Sequence, residues 1–164
     1  MLRPRLGRTD PDLDPLGYRT LFALQLAAER DDRPGLVERV LRPDQVYPET
    51  SLLSRFETGE LDAAVVYRSM AADRDFEYRE LPPAVDLSDP ARDDQYRGAS
   101  YTLASGETVT GKHVAYGVRA RSGSEATRRT FETIAAGDLL ADHGFVVPET
   151  FPVFEGEVPR GYRR

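Results

Sequence analysis

Residues 14–30 read DPLGYRTLFALQLAAER, and this stretch constrains the fold more than any other. Leu16, Thr20, Phe22, Ala23, Leu26 and Ala27 recur at helical spacing, so they form an apolar stripe on one side of a helix. Asp14 has the short acceptor side chain that an N-cap needs, and Pro15 sits at the first helical position, where a missing N–H costs nothing. A helix with one apolar stripe cannot stand alone in water. It must lie against another layer, and the next question is what the rest of the chain supplies as that layer.

The segments that follow alternate in type. DDRPG at 31–35 stops the first helix, and a short helix is expected over 36–41. DQVYPET at 44–50 reads as an extended piece leading into a helix over 50–59, with Gly59 as its stop. LDAAVVY at 61–67 has the composition of a buried strand, 67–75 reads as helix, and FEYREL at 76–81 alternates as a strand does. A proline- and aspartate-rich connection covers 82–96. Two extended runs follow within 98–120, joined near Gly106 or Gly111 as a hairpin-like pair. Residues 124–145 read as helix, capped by Ser124 and broken at Gly137 and Gly144, and the tail is irregular. Strands alternating with helices predict an α/β layered fold with a mostly parallel sheet.

Composition narrows the functional classes. Hydrophobic residues make up 40% of the 164 residues and charged residues 30%, enough apolar material for one compact domain or one large lobe. No apolar run approaches a membrane span, and MLRPRLGRTD at the start has no apolar core of signal-peptide length, so no export signal is expected in the chain as given. There is no cysteine, which excludes disulfides, thiolate metal sites, a thiol nucleophile and a lipidated cysteine. The net charge is −6 and Lys112 is the only lysine. An acidic, arginine-based surface fits a high-salt or GC-rich origin, and it is a poor general binder of nucleic acid. The arginines at 119, 121, 128, 129, 160, 163 and 164 read as solvated surface.

The sequence holds no phosphate-cradling glycine loop, dinucleotide fingerprint or nucleophile elbow. His113 and His143 are isolated and read as structural. What remains is a set of helix starts that follow strands. In an open parallel sheet ligands bind beyond the carboxyl ends of strands, and helix N-termini there suit anions. Three such places stand out: Asp14–Tyr18, Pro48–Thr50 and Tyr67–Ser69. Each also has a plain structural reading, Asp14 as a cap, Glu49 as a partner of the helix dipole and Tyr67 as a packed aromatic. Two carboxylates facing an anion would repel it unless the anion has an electropositive centre. Molybdate and tungstate meet that condition, because their hard metal accepts more than four oxygen donors whereas the sulfur of sulfate does not.

These residues resemble a family. GRTDPDLDPLGYRTLFALQLA at 7–27, VYPETSLLSRFETGELDAAVVYRSMA at 46–71, FEYRELPPAVDLSDP at 76–90 and GKHVAYGVRA at 111–120 are similar, in collinear order, to the second lobe of archaeal molybdate/tungstate-binding proteins of ABC transporters. The resemblance implies a three-layer type 2 periplasmic-binding-protein fold. Residues 6–118 would be its second, inserted lobe and residues 119–164 the C-terminal return segment of the first lobe, whose N-terminal part is not matched. It implies that Asp14 and Glu49 complete an octahedral metal centre, that Tyr67 lies at the cleft, and that backbone near Gly17 and Tyr18 faces the oxo groups, with Arg19 supporting the helix start. It further implies an extracellular or cell-surface binding protein that hands a small oxyanion to a transporter permease, with no cofactor and no catalysis. Two other readings compete: a ligand-sensing domain of a regulator with the same fold, and a hydrolase using Asp14 and Glu49 as an acid–base pair.

Overall fold

The computed structural model describes residues 4–121, 123–154 and 156. They divide into two compact units. The first holds the chain up to Tyr67 together with Arg79–Val114, and the second holds Arg68–Tyr78 and the chain from Ala115 onward.

The first unit is built on a short parallel ladder. Strand β1 (Leu6–Gly7) pairs with β2 (Ala63–Ala64), Leu6 opposite Ala63 and Gly7 opposite Ala64. On the other side of β1, Arg8 bridges Val46, again in parallel. The Arg8 N–H donates to the Gln45 carbonyl and the Tyr47 N–H to the Arg8 carbonyl, both at 2.9 Å. Arg5 and Asp62 fasten the amino end of the β1–β2 pair. The Arg5 backbone N–H and guanidinium both donate to the Asp62 carboxylate, at 2.7–3.2 Å.

Helix α1 (Pro15–Arg30) begins as its sequence requires. Asp14 is extended (φ −141°), its Oδ1 accepts from the Leu16 N–H at 2.7 Å, and Pro15 occupies the first helical position. Leu16, Thr20, Phe22 and Leu26 are buried along one stripe. Phe22 and Leu26 join Val85, Leu87, Tyr96 and Ala99 in the main core. The proline- and aspartate-rich connection thus donates core residues, and the Tyr96 hydroxyl, donating to the Pro83 carbonyl at 2.5 Å, holds that stretch in place. A smaller apolar knot joins α3 (Glu49–Glu57) to the ladder. Leu52 and Leu61 are fully buried there, and a Cβ on Gly7 would lie 2.7 and 2.4 Å from their methyl carbons. Helix α2 (Leu36–Val40) and a 3-10 turn (Pro43–Gln45) connect α1 to the Val46 bridge. After β2 the unit resumes with α5 (Asp93–Tyr96) and a hairpin of β3 (Ser100–Thr102) with β4 (Thr108–Thr110), turning through Gly106 at φ 88°.

The second unit contains α4 (Arg68–Ala72), α6 (Glu125–Ala136) and α7 (Asp138–Asp142). Ser124 caps α6 by accepting from the Thr127 N–H, and left-handed Gly137 (φ 88°) separates α6 from α7. Gly144 backs onto α4, where a Cβ would fall 2.6 Å from the Ala72 methyl. Tyr116 and Phe145 meet edge to face at 5.3 Å.

Several expectations change. The strand expected over 61–67 contracts to Ala63–Ala64, with the Val65 N–H donating on to Gly7. The alternating run 76–81 forms no strand, and neither does the second half of the 98–120 run beyond Thr110, where His113 was placed. Alternation makes a strand only where a neighbour offers a continuous ladder, and beyond Thr110 the backbone bonds are single ones, from the Gly111 N–H to the Ala99 carbonyl and from the Val114 N–H to the Leu87 carbonyl, both at 2.8 Å. β1 itself was not anticipated. The parallel sheet is correspondingly small, and the fold is a mixed helix–strand arrangement with one parallel and one antiparallel ladder. Arg119, Arg121, Arg128 and Arg129 are exposed as expected, and Arg160, Arg163 and Arg164 lie outside the described residues.

Candidate functional site

Parallel pairing decides where the polar helix starts go. The pieces ending at Val46, Arg8 and Ala64 lie side by side and run the same way, so their carboxyl ends share one edge of the ladder. The chain leaves that edge toward Glu49 in one case, toward Asp14 in the second and toward Tyr67 in the third.

Asp14 and Glu49, 35 residues apart in sequence, meet there through their carboxyl groups. Burial pushes the Glu49 carboxyl above the usual carboxylate range, and the charge of Asp14 and a side-chain hydrogen bond with it push in the same direction. Two carboxylates offer only acceptors and repel each other when both are ionised. The pair therefore favours an electropositive occupant.

The two helix starts beside this pair differ. At α1 the first donors are engaged, with the Leu16 N–H on the Asp14 side chain and the Gly17 N–H on the Asp14 carbonyl at 3.0 Å. Gly17 itself is required by packing, because a Cβ there would lie 2.4 Å from the Asp10 carbonyl carbon and oxygen. At α3, Pro48 brings no side-chain cap, and the Glu49 and Thr50 N–H groups have no hydrogen-bond partner among the described residues. Those two donors carry the positive end of a nine-residue helix and are the natural receivers of an anionic oxygen.

Tyr67, Arg19 and Tyr18 form a second group. The Arg19 guanidinium donates to the Tyr67 hydroxyl at 2.5 Å and lies over both rings, 5.7 Å from the Tyr67 centroid and 5.8 Å from that of Tyr18. Arg19 thus fixes where the Tyr67 hydroxyl sits, whereas the expectation from the sequence is that it supports the helix start.

Three residues drew no attention in the sequence. Arg8 and Thr9 are buried just past β1, and neither Arg8 Nε nor Thr9 Oγ1 has a hydrogen-bond partner among the described residues. Burial lowers the pKa of Arg8, partly countered by Asp10, and its terminal nitrogens reach only the Thr9 and Arg42 carbonyls, at 3.3 and 3.4 Å. A lone arginine in a strand-like run carries no sequence signal for burial. Asp12 Oδ1 accepts from both the Tyr101 hydroxyl (3.2 Å) and the Ala104 N–H (2.7 Å), tying the loop that carries Asp14 to the hairpin. Only tertiary structure brings residues so far apart together.

The histidines have structural partners. His113 contacts the Asp93 carboxylate through its ring and its backbone N–H, at 2.7–3.0 Å, and these bonds lower the Asp93 pKa. His143 meets Asp73 at 3.2 Å. Among the described residues no group of three or more His, Asp or Glu side chains could hold a metal ion, and no helix is long and apolar enough to cross a membrane.

Polar helix starts gathered at the carboxyl edge of a small parallel ladder are compatible with a lobe of the α/β type, in which ligands bind at that edge. By its sequence relationships the chain belongs with the solute-binding proteins of archaeal ABC transporters. No family model matches it. A putative ABC transporter molybdenum-binding protein of Haloferax volcanii is 53% identical over 156 residues, covering 94% of this chain and 51% of the relative. An uncharacterized solute-binding protein of Halobacterium salinarum is 37% identical over 161 residues, 95% of this chain and 52% of the relative. The molybdate/tungstate-binding protein of Pyrococcus abyssi is 29% identical over 136 residues, 68% of this chain and 40% of the relative. The chain spans about half the length of the first two. These relatives are binding proteins rather than enzymes, and nothing in them favours the regulator or hydrolase reading.

Proposed function

We propose that this chain forms the oxyanion-recognising part of an ABC importer's solute-binding protein, and that its cargo is molybdate or tungstate. In this reading the fold is a type 2 periplasmic-binding-protein lobe, with 6–118 as the second lobe and 119–164 as a return segment of the first. The protein works outside the cytoplasm and delivers its cargo to a membrane permease. Asp14 and Glu49 donate carboxylate oxygens to the metal of the oxyanion and carry it from four toward six oxygen neighbours. The Glu49 and Thr50 N–H groups face the oxo atoms, the start of α1 at Gly17 and Tyr18 lies beside them with its first N–H groups already engaged, and the Tyr67 hydroxyl, held by Arg19, lies at the same cleft.

The observation that supports this most is that the Asp14 and Glu49 carboxyls are near enough to raise the pKa of Glu49, beside an uncapped helix start. A plain anion site would exclude such a pair. A metal oxyanion uses both halves of the arrangement, donors for its oxygens and carboxylates for its centre.

Calorimetry on this chain joined to the unmatched half of the Haloferax volcanii relative provides the test. Molybdate and tungstate should bind tightly and sulfate weakly. Asp14→Ala or Glu49→Ala should reduce molybdate affinity by about a hundredfold or more, the scale expected when a charged partner enclosed with its ligand is lost. Equal binding of sulfate, or unchanged affinity in both variants, would overturn the reading.

A further inference from the structure

Residues 10–13, which lead into Asp14, form a turn closed on itself. The Leu13 and Asp14 N–H groups both donate to the Asp10 carbonyl, at 3.3 and 3.0 Å, and the Asp12 N–H donates to Asp10 Oδ1 at 2.9 Å. Gly17 packs on the backbone of this turn, where a Cβ would lie 2.4 Å from the Asp10 carbonyl and 2.5 Å from the Pro11 nitrogen. The turn and the start of α1 therefore move as one body, and Asp14 moves with them.

Asp12 ties that body to the β3–β4 hairpin, accepting at Oδ1 from the Tyr101 hydroxyl at 3.2 Å and the Ala104 N–H at 2.7 Å. Bonds to an ionised acceptor are stronger than those to a neutral one. The hairpin end is itself firm. The Leu103 N–H donates to the Glu107 carbonyl at 2.8 Å, the Gly106 N–H to the Leu103 carbonyl at 2.9 Å, and Tyr101 packs against the main core. Further along α1, Gln25 and Ser100 exchange two hydrogen bonds at 3.0 Å. The lengths agree: Pro15 to Gln25 covers about 15 Å at helical rise, and Ser100 to Ala104 about 13 Å at strand rise. β3 thus braces α1 from Gln25 to the turn before its N-cap.

We propose that Asp12 is a positioning residue for Asp14: through the hairpin it fixes where the Asp14 carboxyl stands beside Glu49, and so it sets oxyanion affinity without touching the ligand. A site that adds two carboxylate oxygens to one metal tolerates errors of about half an ångström, and Asp12 is the point at which its loop is fixed to the hairpin. The effect on affinity rests on the oxyanion reading, whereas the positioning does not.

Hydrogen exchange on the 164-residue chain, and calorimetry on this chain joined to the unmatched half of the Haloferax volcanii relative, test the proposal. Asp12→Ala removes the acceptor. Ala104→Pro removes one donor and leaves Asp12 intact, so it serves if the first variant unfolds. Ala104 follows Leu103 in a turn closed by the Gly106 N–H, a place where proline fits. Asp12→Asn keeps the accepting oxygen and loses the charge. In Asp12→Ala and in Ala104→Pro the Asp14 amide should exchange about tenfold faster or more, while the Phe22 and Leu26 amides stay protected. Molybdate affinity should fall by about tenfold, the scale on which groups supporting a metal's ligands act, with sulfate binding unchanged. Asp12→Asn should match the wild type in both measurements. An Asp14 amide as well protected in the two disruptive variants as in the wild type would overturn the proposal. So would faster exchange with unchanged molybdate affinity, or an asparagine variant as weak as the alanine one. Wild-type protein that binds no molybdate would overturn the oxyanion reading instead, and the exchange comparison would then decide the positioning role by itself.

Discussion

At the scale of single residues, Glu49 shows how a site can oppose stability. Its carboxyl is raised by burial and by the neighbouring Asp14, so the folded chain holds a proton on it more tightly than the unfolded chain does. The stability tied to that proton is fully present below the unfolded pKa and is lost as pH rises through the higher folded value. Near neutral pH the pair is thus a net liability. Glu49→Gln should raise the denaturation midpoint at pH 7 and flatten its dependence on pH in the acid range, as chemical denaturation at several pH values would show. The same variant should fail to bind molybdate. A gain in stability together with a loss of binding marks a position kept for binding. A lower midpoint at pH 7 would show instead that the carboxyl contact stabilises the fold.

At the scale of elements, one ion pair closes the amino end of the parallel ladder. β1 and β2 are two residues each, and Arg5 closes their amino end onto Asp62 through side chain and backbone. These bonds hold the Asp62 pKa down at about 2. A depressed carboxylate contributes stability that is present above its unfolded value and lost as pH falls through about 2. The protection of the Ala63 and Val65 amides, relative to their intrinsic exchange rates, should therefore fall between pH 4 and pH 2. In Asp62→Asn it should be low already at pH 6, with the α1 amides unaffected. If exchange at these amides does not respond to pH or to the variant, the backbone bonds alone hold the ladder. The same scale explains which elements were legible. α1, α3 and α6 announced themselves through apolar spacing, caps and glycine stops, all of which act within a few residues. The ladder strands did not, because Leu6, Val46 and Ala63 become strand only by finding one another across the chain.

At the scale of the whole molecule, the two units differ in what holds them. The first has Phe22, Leu26, Val85, Leu87, Tyr96 and Ala99 packed together, and among the described residues the second has no comparable cluster. Unfolding of the chain alone should then depart from a single transition. Helical circular dichroism should begin to fall at lower denaturant than tyrosine fluorescence, since Tyr96 and Tyr101 lie in or against the core of the first unit. Coincident curves would indicate one cooperative body.

The sequence by itself determined the local matters. It set the start of α1 at Asp14–Pro15, the stops at Gly59 and Gly137, a hairpin turning at Gly106 or Gly111, and the acidic surface without cysteine. Its resemblance to archaeal solute-binding proteins identified the class to which its relatives belong. Tertiary structure alone decided that the Asp14 carboxyl meets that of Glu49, that Arg19 holds Tyr67, that Asp12 ties its loop to the hairpin, and that Arg8 is buried. The physical reason is range. Caps, turns and helical stripes follow from neighbours a few residues away, whereas charge pairs and ladder bonds join groups tens of residues apart and exist only once the chain has closed on itself.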